Sequence, residues 1–248
     1  MNPAFKAQVR GGALTVGTWL KTPHPTVAEV LALSPLDCLV LDAEHAPFGR
    51  AELDACVRAA GAKPVLIRPE SAAPAHLLQA LDYGAAGVIV PHVRSAAEAR
   101  AIVRACHFGP GGRGYAGTTR SAGFGTRAMA TNRADAAHVT VIAQIEDAEA
   151  LDEIEAIARV DGLDALFIGR ADLTISLDAA SPDDPRVVAA VEAILAAGRA
   201  AGKAIGMFLP RPGDAALWRG KGASLFLLAS DHDFLLAGAK ALAAGVRA

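Results

Sequence analysis

The chain has 248 residues, of which 52% are hydrophobic and 20% are charged, so it can bury a large core and is not a disordered protein. The 24 Lys and Arg residues nearly balance the 26 Asp and Glu residues, which gives a formal net charge of −2. Both signs are scattered along the chain. We therefore expect neither a nucleic acid nor an anionic membrane surface as a partner.

The sequence shows no targeting or membrane segment. Its first 12 residues contain Lys6 and Arg10 but no apolar stretch, and no later run approaches the roughly 18 apolar residues of a membrane span. The three cysteines, Cys38, Cys56 and Cys106, lack metal-ligand spacing and are interpreted as reduced thiols in the core. We expect a cytoplasmic protein.

Short apolar segments alternate with Ala-rich helical segments from one end of the chain to the other. Several apolar segments contain no polar residue, which is typical of parallel strands that are covered on both faces. Eight segments are predicted as strands: residues 14–20, 38–42, 64–68, 87–91, 139–145, 164–168, 204–208 and 224–228.

A helical pattern follows each predicted strand. The predicted helices are residues 26–33, 50–60, 74–83, 95–106, 147–159, 185–200, 213–221 and 231–245. Eight strands that are each followed by a helix predict one α/β domain over residues 1–248, a single (β/α)8 TIM barrel. A doubly wound open sheet is the alternative, because element order does not prove that the sheet closes.

One connection breaks this alternation. Residues 107–138 join the fourth helix to the fifth strand and are far longer than a usual connection. The glycines between residues 109 and 114 could form a phosphate cradle, but no strand leads into them and no P-loop lysine follows. We favour a loop that shapes the mouth of a site or contacts another subunit.

Polar residues follow the predicted strands, at the end of a barrel where active sites lie. The second strand leads into residues 42–45, Asp-Ala-Glu-His, and the third ends in Arg68. The fourth is followed by His92 and the fifth by Glu146, while the sixth leads into residues 169–172, Gly-Arg-Ala-Asp. These groups are expected to share one rim.

Glu146 and Asp172 are candidates for a metal site. They lie 26 residues apart, one βα unit, and should project from neighbouring strands. Two carboxylates without a nearby cysteine suit a hard cation such as Mg²⁺ or Mn²⁺, with Co²⁺ a further candidate, rather than structural zinc. The alternative for each acid is a helix N-cap.

Arg68 and His45 are candidates for catalysis. Arg68 could face developing oxyanion charge, or it could form an interior salt bridge with Asp42 or Glu44. His45 could act as a general base, because its unperturbed pKa is near neutrality, or it could simply be an exposed loop histidine.

These residues resemble the HpcH/HpaI aldolase family nearly from end to end. The Glu-His-Ala-Pro and Gly-x-Ala-Asp-Leu elements, in this order, are specific in combination. The resemblance is carried by residues 17–20 (GTWL), 41–47 (LDAEHAP), 65–68 (VLIR), 80–85 (ALDYGA), 90–91 (VP), 144–146 (QIE) and 167–173 (FIGRADL).

The resemblance implies a divalent-metal-dependent lyase that reversibly cleaves 4-hydroxy-2-oxo acids to pyruvate, or hydroxypyruvate, and an aldehyde through an enolate. It implies Mg²⁺, Mn²⁺ or Co²⁺ held by Glu146 and Asp172, and a homo-oligomer, a hexamer. Arg68 would stabilise the enolate, and His45 would be the general base, made more basic by Asp82. The implied substrate-binding residues are Gln144, Ala171, Asp172, Trp19 and Phe208.

Some points stay open. Asp82 ends a predicted helix on the side of the barrel away from His45, so either the predicted boundaries are wrong or a neighbouring subunit supplies it. The nearer Asp42 is the alternative carboxylate that would orient His45. Arg170 occupies a position often filled by proline in the family, and residues 176–182 lack the usual Ser-Leu-Gly form. These departures leave the aldehyde open. Phe208 and the two residues after it are expected to shape its pocket.

Three rival functions remain. A related lyase for malyl- or citryl-type thioesters, or a decarboxylase, would share the same site. A Schiff-base aldolase is disfavoured, because the nearest lysine to a strand end is Lys21. A non-catalytic metabolite-binding barrel is disfavoured by the clustered carboxylates, Arg68 and His45.

Overall fold

Eight short segments rich in Val, Ile and Leu form the strands of a closed parallel barrel. In the computed structural model, which describes residues 2–247, the strands pair in chain order and the last pairs with the first. The strands are β1 Thr15–Leu20, β2 Cys38–Asp42, β3 Val65–Arg68, β4 Gly87–Val90, β5 Thr140–Ile145, β6 Ala165–Ile168, β7 Ala204–Leu209 and β8 Leu225–Ser230.

Helices surround the barrel. Many of them begin with residues that favour helix starts. Ser95 accepts a hydrogen bond from the Glu98 amide. A proline occupies the first turn of the helices that begin at residues 25, 74 and 185. The α-helices are α1 Pro3–Arg10, α2 Pro25–Ala32, α3 Arg50–Ala59, α4 Pro74–Asp82, α5 Ala96–Cys106, α6 Met129–Ala136, α7 Ile154–Ala158, α8 Arg170–Ser176, α9 Pro185–Ala200, α10 Ala215–Gly220 and α11 Asp231–Arg247.

The predicted TIM barrel is confirmed, and every predicted strand end lies within two residues of the observed one. The open-sheet alternative is wrong, because β1 pairs with β8. The predicted helix over residues 147–159 is instead a 3₁₀-helix, Ala148–Glu153, followed by the short α7. Three helices were not predicted, namely α1, α6 and α8.

The amino-terminal helix closes one end of the barrel. Phe5 and Val9 of α1 are buried against the apolar side chains inside the barrel. Lys6 donates to the carbonyl of Val139 and pairs with the buried carboxylate of Asp164 at 3.1 Å. Because α1 fills this end, the opposite end, where the strands finish, is the open one.

The carboxyl-terminal helix is apolar but exposed. Asp231 is its only residue buried within the described chain, while Leu235, Leu236, Leu242 and Val246 are all more than half exposed. This face therefore lacks apolar cover within residues 2–247. No helix in that range has the length and hydrophobicity needed to cross a membrane.

Barrel closure predicts a large effect at Gly87. An added Cβ would lie 2.1 Å from the carbonyl oxygen of Thr140 on the adjacent strand, so Gly87→Ala should separate β4 from β5. We expect a loss of about 2–3 kcal/mol in the free energy of unfolding, measured by urea denaturation.

Gly114→Ala is the matched control. Its Cβ would meet no atom within 4 Å, and its backbone is not left-handed, so we expect a change below about 0.5 kcal/mol. Equal unfolding midpoints for the two variants would contradict the barrel register described above.

Candidate active site

The residues predicted to share a rim do meet at the open end of the barrel. The ends of β2 and β3 are in register, so Asp42 lies beside Arg68. The Arg68 Nε donates to Asp42 Oδ1 at 2.9 Å, and its Nη2 lies 2.8 Å from Oδ2. The guanidinium also pairs with Glu44 at 3.2 Å and stacks on the Trp19 ring at 4.2 Å. Arg68 is therefore fixed in one orientation.

Asp42 is the anionic partner that keeps Arg68 in place. Burial alone would raise the pKa of the Asp42 carboxyl, but the hydrogen bond and charge of Arg68, with smaller contributions from the His45 amide and Lys21, hold it below its usual value. The predicted interior salt bridge of Arg68 is thus confirmed, with both Asp42 and Glu44. It does not exclude a catalytic role, because Arg68 also lines the cavity described below.

Glu146 is a buried carboxylate at the end of β5. It accepts hydrogen bonds from the His92 amide at 2.8 Å and from the Gln144 side chain. Gly169, the residue before α8, lies so close that an added Cβ would come within 2.6 Å of Glu146 Oε2. The acid is therefore packed against the segment that carries Asp172. The N-cap alternative is wrong for both acids, because the helix N-caps here are Asp147 and Gly169.

Two further residues, Glu44 and His92, join this acidic group. The ligand atoms of Glu44, His92 and Glu146 lie within 4.8 Å of one another. His92 Nε2 is 3.3 Å from Glu44 Oε1, and its Nδ1 is 3.6 Å from Glu146 Oε1. Sequence reasoning placed both residues at the rim but did not assign them to the metal site. Their positions, two residues after the ends of β2 and β4, could have indicated that they lie beside Glu146.

The electrostatics of this group favour a bound cation. Burial raises the pKa of the Glu146 carboxyl more than the hydrogen bonds from Gln144 and His92 lower it. Burial likewise raises the pKa of Glu44 against the opposing effect of Arg68, and the negative charge of Asp172 adds to the rise. Gln144 also has a buried side-chain oxygen without a partner among the described residues. Crowded, desolvated carboxylates of this kind are stabilised by a hard cation.

His45 lies at the edge of the same group. Its Nε2 is 3.5 Å from Glu44 Oε2, and its ring is half exposed. Asp42 contacts His45 through the backbone rather than the ring: it accepts a hydrogen bond from the His45 amide at 3.2 Å. Asp82 lies at the end of α4 and pairs with Arg113, so the structure does not bring it to His45 within one chain. Glu44 is the carboxylate nearest the His45 ring.

A cavity of about 630 Å³ opens above these residues. Every predicted site residue lines it except Glu146, which is packed behind Gly169, and Asp82. The predicted residues that line it are Trp19, His45, Arg68, Gln144, Ala171, Asp172 and Phe208. The cavity therefore brings Arg68, Asp172 and His45 together in a space of the size that small metabolites occupy.

The chain is similar to known proteins over most of its length. The family described as HpcH/HpaI aldolase/citrate lyase matches residues 15–237. The chain belongs to this family. It is an enzyme of the lyase class and a member of a family of aldolases, as the resemblance implied.

Individual relatives agree with this assignment. The chain is 39% identical to a hydroxypyruvate/pyruvate aldolase of Sagittula stellata over 75% of each protein. It is 35% identical to a 4-hydroxy-2-oxo-heptane-1,7-dioate aldolase of Salmonella dublin, with 98% of this chain and 94% of the relative covered. A solved HpcH/HpaI aldolase/citrate lyase family protein from Burkholderia cenocepacia is 33% identical, with a TM-score of 0.94 and complete coverage of both chains.

The three cysteines are free and buried, which confirms their predicted place in the core. Burial raises the pKa of Cys38 and Cys106 to about 12 and that of Cys56 to about 11. None of them lines the cavity.

Because thiolates are the reactive form, we expect iodoacetamide at pH 8 to leave the folded enzyme unmodified and to label all three cysteines in urea, as measured by intact-protein mass. Rapid labelling of any one in the folded enzyme would contradict this placement.

Proposed function

We propose that this enzyme reversibly cleaves 4-hydroxy-2-oxo acids to pyruvate, or hydroxypyruvate, and an aldehyde, with the help of a divalent cation. The observation that carries the proposal is the rigid Arg68 guanidinium at the end of the cavity that holds Asp172 and Gln144. The reaction places negative charge on the 2-oxo oxygen, and a preorganised cation at that place stabilises it. The names of the relatives supply the substrate class.

Glu146 and Asp172 would hold the cation, with Mg²⁺, Mn²⁺ and Co²⁺ as the candidates, and Glu44 and His92 stand beside Glu146. The chemistry of these donors fits a hard cation that keeps positions open for other oxygen ligands. When bound, such an ion polarises a 2-oxo group and accepts its developing negative charge.

The protein residues would bind the substrate and transfer its protons. Gln144 and the backbone amides near Ala171 and Asp172 would bind the 2-oxo acid, and Trp19 and Phe208 would border it. His45 would take the proton of the 4-hydroxyl group through a water molecule as the C3–C4 bond breaks. The electron pair of that bond forms the enolate, whose oxygen faces Arg68, and protonation at C3 then gives pyruvate.

We also propose a homo-oligomer, a hexamer, in the cytoplasm. The apolar exposed face of α11 supports association, because exposed Leu and Val side chains on a helix are stabilised by burial against a partner. Asp82 could raise the basicity of His45 only from a neighbouring subunit, since within one chain it pairs with Arg113.

A second candidate follows from the family description, which includes citrate lyase. The same acids and Arg68 could serve a lyase for malyl- or citryl-type thioesters. Turnover of pyruvate plus aldehydes, compared with turnover of coenzyme A thioesters, distinguishes the two. Turnover of thioesters alone would replace the first proposal.

Removal of the cation should stop enolate formation. We expect the enzyme to exchange the methyl protons of pyruvate in D₂O with Mg²⁺, to lose this exchange in EDTA and to regain it when the ion is restored, as followed by ¹H NMR. Glu146→Gln and Asp172→Asn should each lower the exchange rate on the order of 10³-fold, since a Lewis acid contributes several kcal/mol.

Glu155→Gln is the matched control for these two variants. Glu155 lies on α7, is largely exposed and, among the described residues, pairs with Arg159 alone, so the exchange rate of this variant should match that of the wild type. Exchange that persists in EDTA, or that survives in both acid variants, would refute the proposed metal site.

The shape of the Arg68 guanidinium should also be required. Arg68→Lys keeps the charge but loses the planar fork that binds Asp42 and stacks on Trp19. We expect kcat for cleavage to fall about 100-fold or more. Arg94 is an exposed arginine paired with Glu98, and Arg94→Lys should change kcat by less than about twofold. An Arg68→Lys enzyme with near-normal kcat would show that the oxyanion role is wrong.

A further inference from the structure

The cavity extends beyond the space that a three-carbon donor would fill. Away from Arg68 and Asp172, its wall is formed by the start of α8, the segment between α8 and α9, and α10. Two cations line this outer region, Arg170 and Arg211, together with the Trp218 ring and the apolar residues Phe208 and Pro210. The proposed mechanism uses neither arginine.

Arg170 is held by several hydrogen bonds, but these do not use all of its N–H donors. Its Nε and Nη2 donate to the carbonyl of Pro182 at 3.2 and 2.6 Å, and its Nη2 also donates to Asp183 Oδ1 at 2.9 Å. Its guanidinium lies 5.5 Å from the centre of the Trp218 ring. Its Nη1 makes no hydrogen bond within residues 2–247, so two N–H donors remain for a ligand.

Arg211 faces the same region from the segment after β7. Its Nε donates to Asp214 at 2.9 Å, while its Nη1 and Nη2 make no hydrogen bond to the described residues. Asp214 is the main cause of the raised pKa of Arg211, and the charge of Asp183, which pairs with Arg170, adds to it.

Asp183 occupies the place where an anion would bind. Its side chain is 83% exposed and contacts Arg170, and exposed ion pairs of this kind contribute little stability. A ligand anion that entered the cavity could displace it from Arg170 at low cost. Of the other acids of this wall, Asp214 pairs with the Arg211 Nε and leaves its two terminal nitrogens free of hydrogen bonds to the described residues, and Asp233 accepts a hydrogen bond from Ser230.

We propose that Arg170, assisted by Arg211, binds an anionic group, a carboxylate or a phosphate, at the far end of the aldehyde acceptor. This inference rests on the proposed function, because it assigns the remote part of the same substrate. Arg170 is then a specificity-determining residue, and Asp183 competes with the substrate for it.

The competing interpretation is that Arg170 only clamps the segment between α8 and α9. Arg186 offers a control, because it holds that segment too, through the carbonyls of Leu177 and Asp178, but does not line the cavity. A clamp alone would make Arg170→Met and Arg186→Met behave alike and would not distinguish charged from uncharged ligands.

The decisive measurement is equilibrium binding, which does not depend on turnover. We would titrate the Mg²⁺-loaded enzyme with 2-oxoheptanedioate and with 2-oxoheptanoate, which share the 2-oxo acid head and differ in the terminal carboxylate. We expect the wild type to bind the dianion at least about tenfold more tightly, as the loss of a charge-assisted hydrogen bond implies.

Three variants sharpen the test. Arg170→Met should remove the preference for the dianion and leave binding of 2-oxoheptanoate within about twofold. Arg186→Met should keep the preference, and Asp183→Asn should increase it. No preference in the wild type, or the same preference in Arg170→Met as in the wild type, would overturn the proposal, even if pyruvate proton exchange showed the proposed function to be correct.

Rates with matched aldehydes distinguish the two anions. With pyruvate as donor, succinic semialdehyde is compared with butanal, and glyceraldehyde 3-phosphate with glyceraldehyde. A carboxylate subsite raises kcat/KM for succinic semialdehyde over butanal only, and a phosphate subsite raises it for glyceraldehyde 3-phosphate over glyceraldehyde only. In either case Arg170→Met should lower kcat/KM for the preferred aldehyde about tenfold or more. Equal kcat/KM values within both pairs would count against the subsite.

Discussion

The buried pair of Asp42 and Arg68 is the interaction on which the catalytic end of the barrel depends. It joins two adjacent strands at their last residues, orders Arg68 against Trp19 and brings Glu44 and the His45 amide to the same point. A buried arginine needs such a partner, because an unpaired charge in this position would be strongly destabilising. The pair therefore holds a positively charged group in one orientation at the open end of the barrel.

The site has two chemically distinct regions that one scaffold supports. Near the barrel axis, the acids and Arg68 are rigid because they sit on strand ends and have several partners each. Farther out, the arginines sit on helix starts and connecting segments and have exposed partners. The groups on the strand ends are therefore held more firmly than the arginines on the helix starts and connecting segments.

The fold and much of the site could be predicted from the sequence, because parallel strands such as Val65–Arg68 are apolar throughout and their polar neighbours follow at once. Helix α8 was missed because its seven residues were interpreted only as a motif, and α1 because it precedes the repeating pattern. The contact of His92 with Glu44 could not be predicted, because the backbone at His92 is left-handed, with φ 55°, and this conformation is uncommon even for histidine, which adopts it more often than most residues. Residue spacing also could not show that Arg113 binds Asp82.

The crowding between residue 169 and the acid at 146 has a consequence for relatives known only from sequence. Where a homologue has a side chain at this glycine, its glutamate would have to withdraw from the place it occupies here. A small residue three positions before Asp172 is thus the condition for this close approach, and it can be checked in the sequence of a homologue without comparing any other residue of the site.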